Sequence, residues 1–227
     1  MKTEEFLTRT REALAPFSGQ LKLFPLPSLV MFPMTVVPLQ IFEPRYRKLL
    51  ADALASDRFM GVVLLAVGWE EDYYGLPPIS GVTCVSRIIQ DQTLPDGKES
   101  LMLEGLSRAR IDHETQTDPY RIAQVTLLED IPIDAKETAD WNRRFKLLTT
   151  GSMALEHPHL GQTVTSLLDS NLPFASVVDI ISAGLPLDPQ VKQEVLEELD
   201  VSRRSSKVLG LLADLLSKGK ELTTPLS

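Results

Sequence analysis

The stretch LQIFEPRYRKLL, residues 39–50, places an arginine on each side of a tyrosine. Two guanidinium groups beside an aromatic ring could hold a carboxylate or a phosphate. The same pattern predicts the start of a helix, because Pro44 suits the first helical position and Glu43 lies at the positive end of the helix dipole. Apolar residues then recur at helical spacing, at Tyr46, Leu49, Leu50, Ala53 and Leu54. We favour a helix packed across neighbouring strands, with a ligand site as the alternative.

A second group of residues suited to binding lies in GWEEDYYGLPP, residues 68–78. It combines Trp69, Tyr73 and Tyr74 with three acidic residues, between two predicted strands. Tyrosine and tryptophan are enriched in binding hot spots, and loops on rigid scaffolds often carry function. The stretch is therefore a candidate polypeptide-binding loop. The alternative is a solvated loop whose aromatic rings fold back onto the strands.

A third candidate is the apolar segment LPSLVMFPM, residues 26–34. If Leu29, Met31 and Phe32 are partly exposed, they form a patch that could bind unfolded or extended polypeptide. The alternative, which composition favours, is that these residues belong to a core strand.

Residues that could support catalysis or bind a metal do not form a known pattern. His157 and His159 flank a proline without a third ligand nearby, whereas a metal site needs three or four converging ligands. Cys84, the single cysteine, lies in an apolar strand pattern typical of a small core residue. The sequence has no phosphate-binding loop, no Gly-x-Ser-x-Gly elbow and no His-Glu-x-x-His pair. We expect no catalytic residues, no cofactor and no metal, and hence no enzyme.

Two different sequence textures must position these candidates. From about Gly19 to Asp130, short apolar runs alternate with turn residues, and Asp96-Gly97 indicates a hairpin. From about Ala135, apolar residues recur at helical intervals between prolines, and Asp188-Pro189 indicates a helix start. The predicted class is α+β, with an N-terminal β-rich pseudo-barrel, a crossing helix and a C-terminal helical bundle. We place an N-terminal extension at 1–19, the β-rich subdomain at 20–132, the helical bundle at 133–217 and a polar tail at 218–227.

Charge and composition limit the possible partners. The 227 residues carry a net charge of −8, which argues against nucleic acid or an anionic membrane as the main partner. A single cysteine fits a reducing compartment. The N-terminus has no apolar core of a secretory signal, and no stretch approaches a membrane-spanning length. We expect a cytoplasmic protein, and the oligomeric state stays open.

Several motifs together resemble a known family. The first is FPL…FP…PL.IFEPRY within residues 24–46, followed by Gly81, Arg87 and Ile88, then by Gly105, Arg108 and Ile111. The strand PYRIAQVTLLED and the helical stretch KQEVLEEL complete the series, with Val195 in place of a leucine. In this order they resemble the LON substrate-binding domain, the N-terminal domain of Lon protease, over about residues 20–217. The likeness is greatest to stand-alone proteins of that family.

The resemblance implies a fold and a function. The fold would be a β-rich pseudo-barrel with the EPRY helix against it, followed by helices. The function would be non-catalytic binding of unfolded or extended polypeptide, or of a protein partner, since the chain ends before an ATPase or Ser-Lys protease domain could begin. The alternatives are an assembly or adaptor factor that acts through its C-terminal helices and an enzyme with an unrecognised site.

Overall fold

The computed structural model describes residues 3–72, 75–150 and 158–217, and these fold as two compact units. The first unit spans residues 10–129 and contains six β-strands. The second takes in the chain from residue 130 onward, together with residues before Thr10, and its described elements are helices. The α+β class, with the β-rich part first and the helical part second, is therefore confirmed.

The elements of the first unit follow a simple order. They are β1 (Gln20–Leu26), β2 (Val36–Ile41), α2 (Pro44–Leu54), β3 (Phe59–Leu64), β4 (Val82–Thr93), β5 (Glu99–Gln116) and β6 (Arg121–Leu127), with a single 3₁₀ turn at Trp69–Asp72. A helix that the sequence analysis did not assign, α1 (Thr3–Leu14), precedes them. None of the described helices is long and apolar enough to cross a membrane.

The six strands form a sheet that closes on itself. Their order is β2-β5-β4-β3-β1-β6, and β5 also pairs with β6, which completes a ring of five strands. All pairs are antiparallel except β1 with β3, whose connection runs through β2 and α2. The pseudo-barrel is thus confirmed, and β2 lies outside the ring on the free side of β5.

Helix α2 crosses the barrel as the EPRY pattern predicts. Pro44 occupies its first turn after Glu43, and Tyr46, Leu49 and Ala53 are buried. They pack in a core cluster with strand residues that include Phe24, Met60, Val62, Ile88, Leu101 and Leu103. Arg47 lies on the outer face and donates to the carbonyl oxygen of Gly97, at the tip of the β4–β5 hairpin. Arg47 therefore holds α2 to the hairpin tip.

Strand β5 changes partners at Gly105. Residues 99–104 pair with β2, and residues 109–116 pair with β6. Between them, Gly105 donates its N–H to the Thr35 carbonyl at 2.9 Å and accepts from the Met34 N–H at 2.8 Å. A Cβ at position 105 would lie 2.2 Å from the Phe32 carbonyl oxygen, so only glycine lets the 32–35 turn approach this closely.

The second unit is built from five described helices around a buried cation. The helices are α3 (Ala135–Thr150), α4 (Pro158–Leu168), α5 (Phe174–Gly184), α6 (Pro189–Glu197) and α7 (Val201–Ser217). Arg204 of α7 is fully buried and forms two hydrogen bonds to the Asp130 carboxylate, at 2.8 and 2.7 Å. Its Nε lies 3.2 Å from the buried Asp179 carboxylate, and the Glu198 carbonyl accepts from Nη1. A buried guanidinium is stable only when it is paired in this way.

Replacing Gly105 by alanine should lower the free energy of unfolding by about 2–3 kcal/mol, because backbone atoms must move to admit the methyl group. Chemical denaturation of the purified variant measures this difference. Gly81→Ala is the matched control, since a Cβ there meets no described atom within 4 Å and the change should stay within about 0.5 kcal/mol. Equal midpoints for the two variants would contradict the close-approach argument.

Replacing Arg204 by methionine should cost about 3–5 kcal/mol, because the change leaves the buried Asp179 carboxylate without its cation. The neighbouring Arg203→Met is the control, since the Arg203 side chain is 77% exposed and its ion pair to Asp200 spans 3.9 Å. That change should cost less than about 1 kcal/mol. Similar losses in both variants, measured by denaturant unfolding, would contradict a specific role for the buried pair.

Candidate functional site

A cleft lies at one end of the barrel, where three segments of the first unit meet. Its walls are the first turns of α2, residues 75–77, and residues 117–121, which connect β5 to β6 and include the first residue of β6. The first wall is the start of α2 and the third leads into β6, whereas residues 75–77 lie between Leu65 and Ile79, which form a β-bridge with each other. The residues that line the cleft are Pro25, Pro44, Arg45, Tyr46, Lys48, Leu65, Gly75, Leu76, Pro77, Thr117, Asp118, Pro119, Tyr120 and Arg121.

The cleft has a narrow inner part and a wide outer part. The inner cleft, between Pro25, Tyr46, Pro77 and Tyr120, has a volume of about 20 Å³, which is room for about one water molecule. The outer cleft, between the first turn of α2 and residues 117–119, provides about 550 Å³. Of these two parts, only the outer cleft is large enough to hold a side chain.

Two buried residues beside the 117–119 turn join the walls to each other. The Tyr120 hydroxyl donates to Oδ2 of Asp52 on α2 at 2.7 Å. Arg121 donates to the Pro77 carbonyl at 2.6 Å and to Oε1 of Glu114 at 3.0 Å. The turn also contains a cis peptide bond between Asp118 and Pro119. The three walls are thus connected by hydrogen bonds as well as by the barrel.

The hydrogen bond between Tyr120 and Asp52 shifts the pKa values of both groups. Burial, and then the bond to the Asp52 carboxylate, raise the pKa of Tyr120 to about 12. The hydrogen bond from Lys48, at 2.6 Å, is the largest cause that lowers the pKa of Asp52, and the Tyr120 hydroxyl is the next. At neutral pH the pair is therefore a neutral phenol donating to a carboxylate.

Arg45 presents its guanidinium at the rim of the cleft. It lies 4.7 Å from the ring centroid of Tyr46, which in turn packs edge-on against Phe24 at 4.6 Å. Its Nε donates to Oε2 of Glu43 at 3.0 Å. Stacking on a buried ring orients the cation. The opening stretch of the sequence thus supplies both a packed helix and part of a cleft wall.

The structure distributes the predicted site residues unevenly around this cleft. Tyr73 and Tyr74 lie outside the described residues. Trp69 is half-buried in its 3₁₀ turn and is not among the described residues that line the cleft. The end of the same loop does reach the cleft, through Gly75, Leu76 and Pro77. Leu76 is 53% exposed there.

Residues 29–32 do not form the exposed patch that was one interpretation of their sequence. Met31 and Phe32 are buried, and Leu29 is half-buried against the barrel core. The reason is the turn that follows them, which binds the backbone of Gly105 and directs these side chains inward. The Met31 sulfur, for example, accepts a hydrogen bond from Ser86. These residues belong to the core, as the alternative interpretation held, but not to a strand, because β1 ends at Leu26 and β2 begins at Val36.

Cys84 and His159, which were considered for catalysis or metal binding, do not line the cleft. Cys84 is fully buried in β4, as its strand pattern predicted. His159 is exposed near the start of α4, and His157 lies outside the described residues. Across the described ranges, no group of three histidine, cysteine or acidic residues is placed to hold a metal ion.

Sequence reasoning missed the 117–121 wall. Its signal was present as the Asp118-Pro119-Tyr120 sequence between two strands, which marks a turn. What the sequence did not reveal is that this turn lies beside α2, because that contact depends on closure of the barrel by β5 and β6.

The Tyr120→Phe variant should lack one phenol that titrates at an unusually high pH. The ultraviolet absorbance difference between the native protein and the variant should titrate with a midpoint near pH 12 rather than at the ordinary pKa of 10.0. Because the folded pKa is raised, the stabilisation is complete below pH 10 and is lost as the pH rises toward 12. Denaturation at pH 7 and pH 11 should therefore show a smaller pH-dependent loss for the variant. A difference titration centred on 10 would contradict the buried hydrogen bond.

The comparisons with known proteins all identify the same family. The family model described as the ATP-dependent protease La (LON) substrate-binding domain matches residues 20–214. Lon protease 2 of Myxococcus xanthus is 30% identical over 198 residues, which are 85% of this chain and 23% of that protein. Lon protease of Escherichia coli strain K12 is 29% identical over 206 residues, 89% of this chain and 26% of that protein. The chain spans about a quarter of the length of these relatives.

Solved structures show the same fold. A Lon N-terminal domain protein from Xanthomonas campestris superposes with a TM-score of 0.57 at 24% identity, covering 84% of this chain and 97% of that one. The N-terminal domain of a Mycobacterium avium complex Lon protease gives a TM-score of 0.65 at 17% identity, covering 87% and 98%. At these identities the likeness concerns the fold.

Proposed function

This chain belongs to the LON substrate-binding domain family, and from that premise we propose that it is a non-catalytic module that binds unfolded or extended polypeptide. The observation that carries the proposal is the outer cleft. It has a volume of about 550 Å³, is open to solvent and is lined by exposed apolar groups, among them Pro44, Leu76 and Pro119. Such a cleft suits a thin, extended chain better than a compact ligand, which would need an enclosed pocket.

The mechanism is non-covalent. Leu76 and the two prolines provide apolar surface, and the polar groups of Arg45, Lys48 and Thr117 lie beside it. This mixture of apolar contacts with a few polar groups is typical of peptide-binding clefts. The aromatic loop at residues 68–78 continues directly from the wall at residues 75–77, so Trp69, Tyr73 and Tyr74 remain candidates for contacts beyond the cleft.

Fluorescence anisotropy tests the proposal. A labelled polypeptide that cannot fold is titrated with the protein and with Leu76→Ser. We expect saturable binding, weakened about tenfold by the substitution, because a leucine that becomes buried on binding contributes on the order of 1.5 kcal/mol. Leu127→Ser is the matched control, since Leu127 is also an exposed leucine, at 39%, and does not line the cleft.

The outcomes separate the candidate surfaces. A loss with Leu76→Ser but not with Leu127→Ser supports the cleft. A third variant, Trp69→Ala, tests the aromatic loop, and a loss with Trp69→Ala but not with Leu76→Ser would move the site to that loop. No saturable binding at high protein concentration would overturn the general-capture proposal.

A further inference from the structure

The charges around the outer cleft differ from those of the chain as a whole. The chain has a net charge of −8, yet the α2 wall presents two cations, Arg45 and Lys48. They are three residues apart on one helix, so their side chains lie on the same face. The opposite wall offers Thr117 and a single acidic residue, Asp118. An acidic protein thus places two cations along this cleft, Arg45 beside Glu43 and Lys48 beside Asp52.

Both cations have hydrogen-bonding capacity to spare. Arg45 uses its Nε for Glu43, and within the part of the chain that the structure describes its two terminal nitrogens donate no hydrogen bond. The Lys48 side chain is 59% exposed and uses one of its donors for Asp52. Asp52 is also bound by the Tyr120 hydroxyl, so its charge is already shared. The Lys48–Asp52 pair lies at the surface and contributes little to stability, and the half-buried Arg45–Glu43 pair occupies only Nε of Arg45, so an incoming carboxylate can join both cations.

The apolar groups lie directly beside the cations. Pro44 precedes Arg45 on the α2 wall, and Leu76 and Pro119 face the same outer cleft. The inner cleft is too small for a side chain, so an apolar residue of the occupant must lie against this outer surface. An acidic residue next to it along the chain would then reach Arg45, whose planar guanidinium can form two parallel hydrogen bonds to a carboxylate.

We propose that the outer cleft selects extended segments in which an acidic residue adjoins an apolar one, with the carboxylate bound by Arg45 and Lys48. This inference rests on the proposed function and names the class of segment that the same cleft prefers. Asp118 on the opposite wall sets the orientation of the segment, because it repels a carboxylate and so directs the acidic residue toward α2.

Matched peptides test this preference. Three labelled Gly/Ser peptides of equal length carry the same leucines, each adjoined by Glu in one peptide, Gln in the second and Lys in the third. Anisotropy titrations at low salt should show the Glu peptide bound at least about threefold more tightly than the Gln peptide, and the Lys peptide most weakly. Raising the ionic strength should reduce the difference, because the cations lie at the surface.

Variants then locate the preference. Arg45→Gln and Lys48→Gln should each reduce the Glu-over-Gln ratio, and Asp118→Asn should increase it. Arg110→Gln is the matched control, since the Nε of Arg110 is also paired with a carboxylate two residues away, Asp112, at 3.1 Å, but Arg110 does not line the cleft. Thermal unfolding of each variant confirms that it is folded, and Lys48→Gln keeps the test decisive if Arg45→Gln fails to fold.

The failure of the acidic preference can be distinguished from the failure of the proposed function. Equal binding of the Glu and Gln peptides would overturn the acidic preference while leaving the polypeptide-binding proposal in place. An equal reduction by Arg110→Gln would show that net charge, and not the cleft, governs binding, and would also overturn it. If none of the peptides binds and the unfolded polypeptide does not bind either, the proposed function itself is wrong.

Discussion

Backbone pairing along β5 is the constraint on which the first unit depends. This strand pairs with β4 over most of its length, with β2 at its start and with β6 at its end. With 18 residues, β5 is long enough to hydrogen-bond with three strands, but it must bend where it changes from one partner to the next. Register shifts against β4 and β6, and the side-chain-free position at Gly105, provide that bend.

The cleft is a consequence of the closure of the barrel by pairing between β5 and β6. Because β6 returns alongside both β5 and β1, the turn at residues 117–120 comes next to the start of α2, which is distant in sequence. The residues at 75–77 are brought to the same place through the bridge between Leu65 and Ile79. The three walls come from segments that are far apart in the sequence, so the cleft depends on the tertiary fold of the whole barrel.

The sequence predicted the parts of the fold that local patterns determine. The EPRY helix, the hairpin at Asp96-Gly97 and the helix start at Asp188-Pro189 are all present, with Asp188 accepting from the Gln190 N–H. The turn after Phe32 escaped prediction because it places Met34 at a φ of 70°, where glycine or asparagine is usual. The burial of Met31 and Phe32 follows from that turn. The cleft itself was not predicted: a ligand site at α2 was only the alternative interpretation of the EPRY stretch, and the facing wall depends on long-range pairing that periodicity does not reveal.

The hydrogen bonds from Tyr120 to Asp52 and from Arg121 to Pro77 have a consequence for any occupant of the cleft. They set the shape of the walls before a segment arrives, so the conformational entropy lost on association comes almost entirely from the segment. Chains that are already extended in solution lose the least. A cleft whose walls are held in this way distinguishes polypeptides by their backbone flexibility as well as by their side chains.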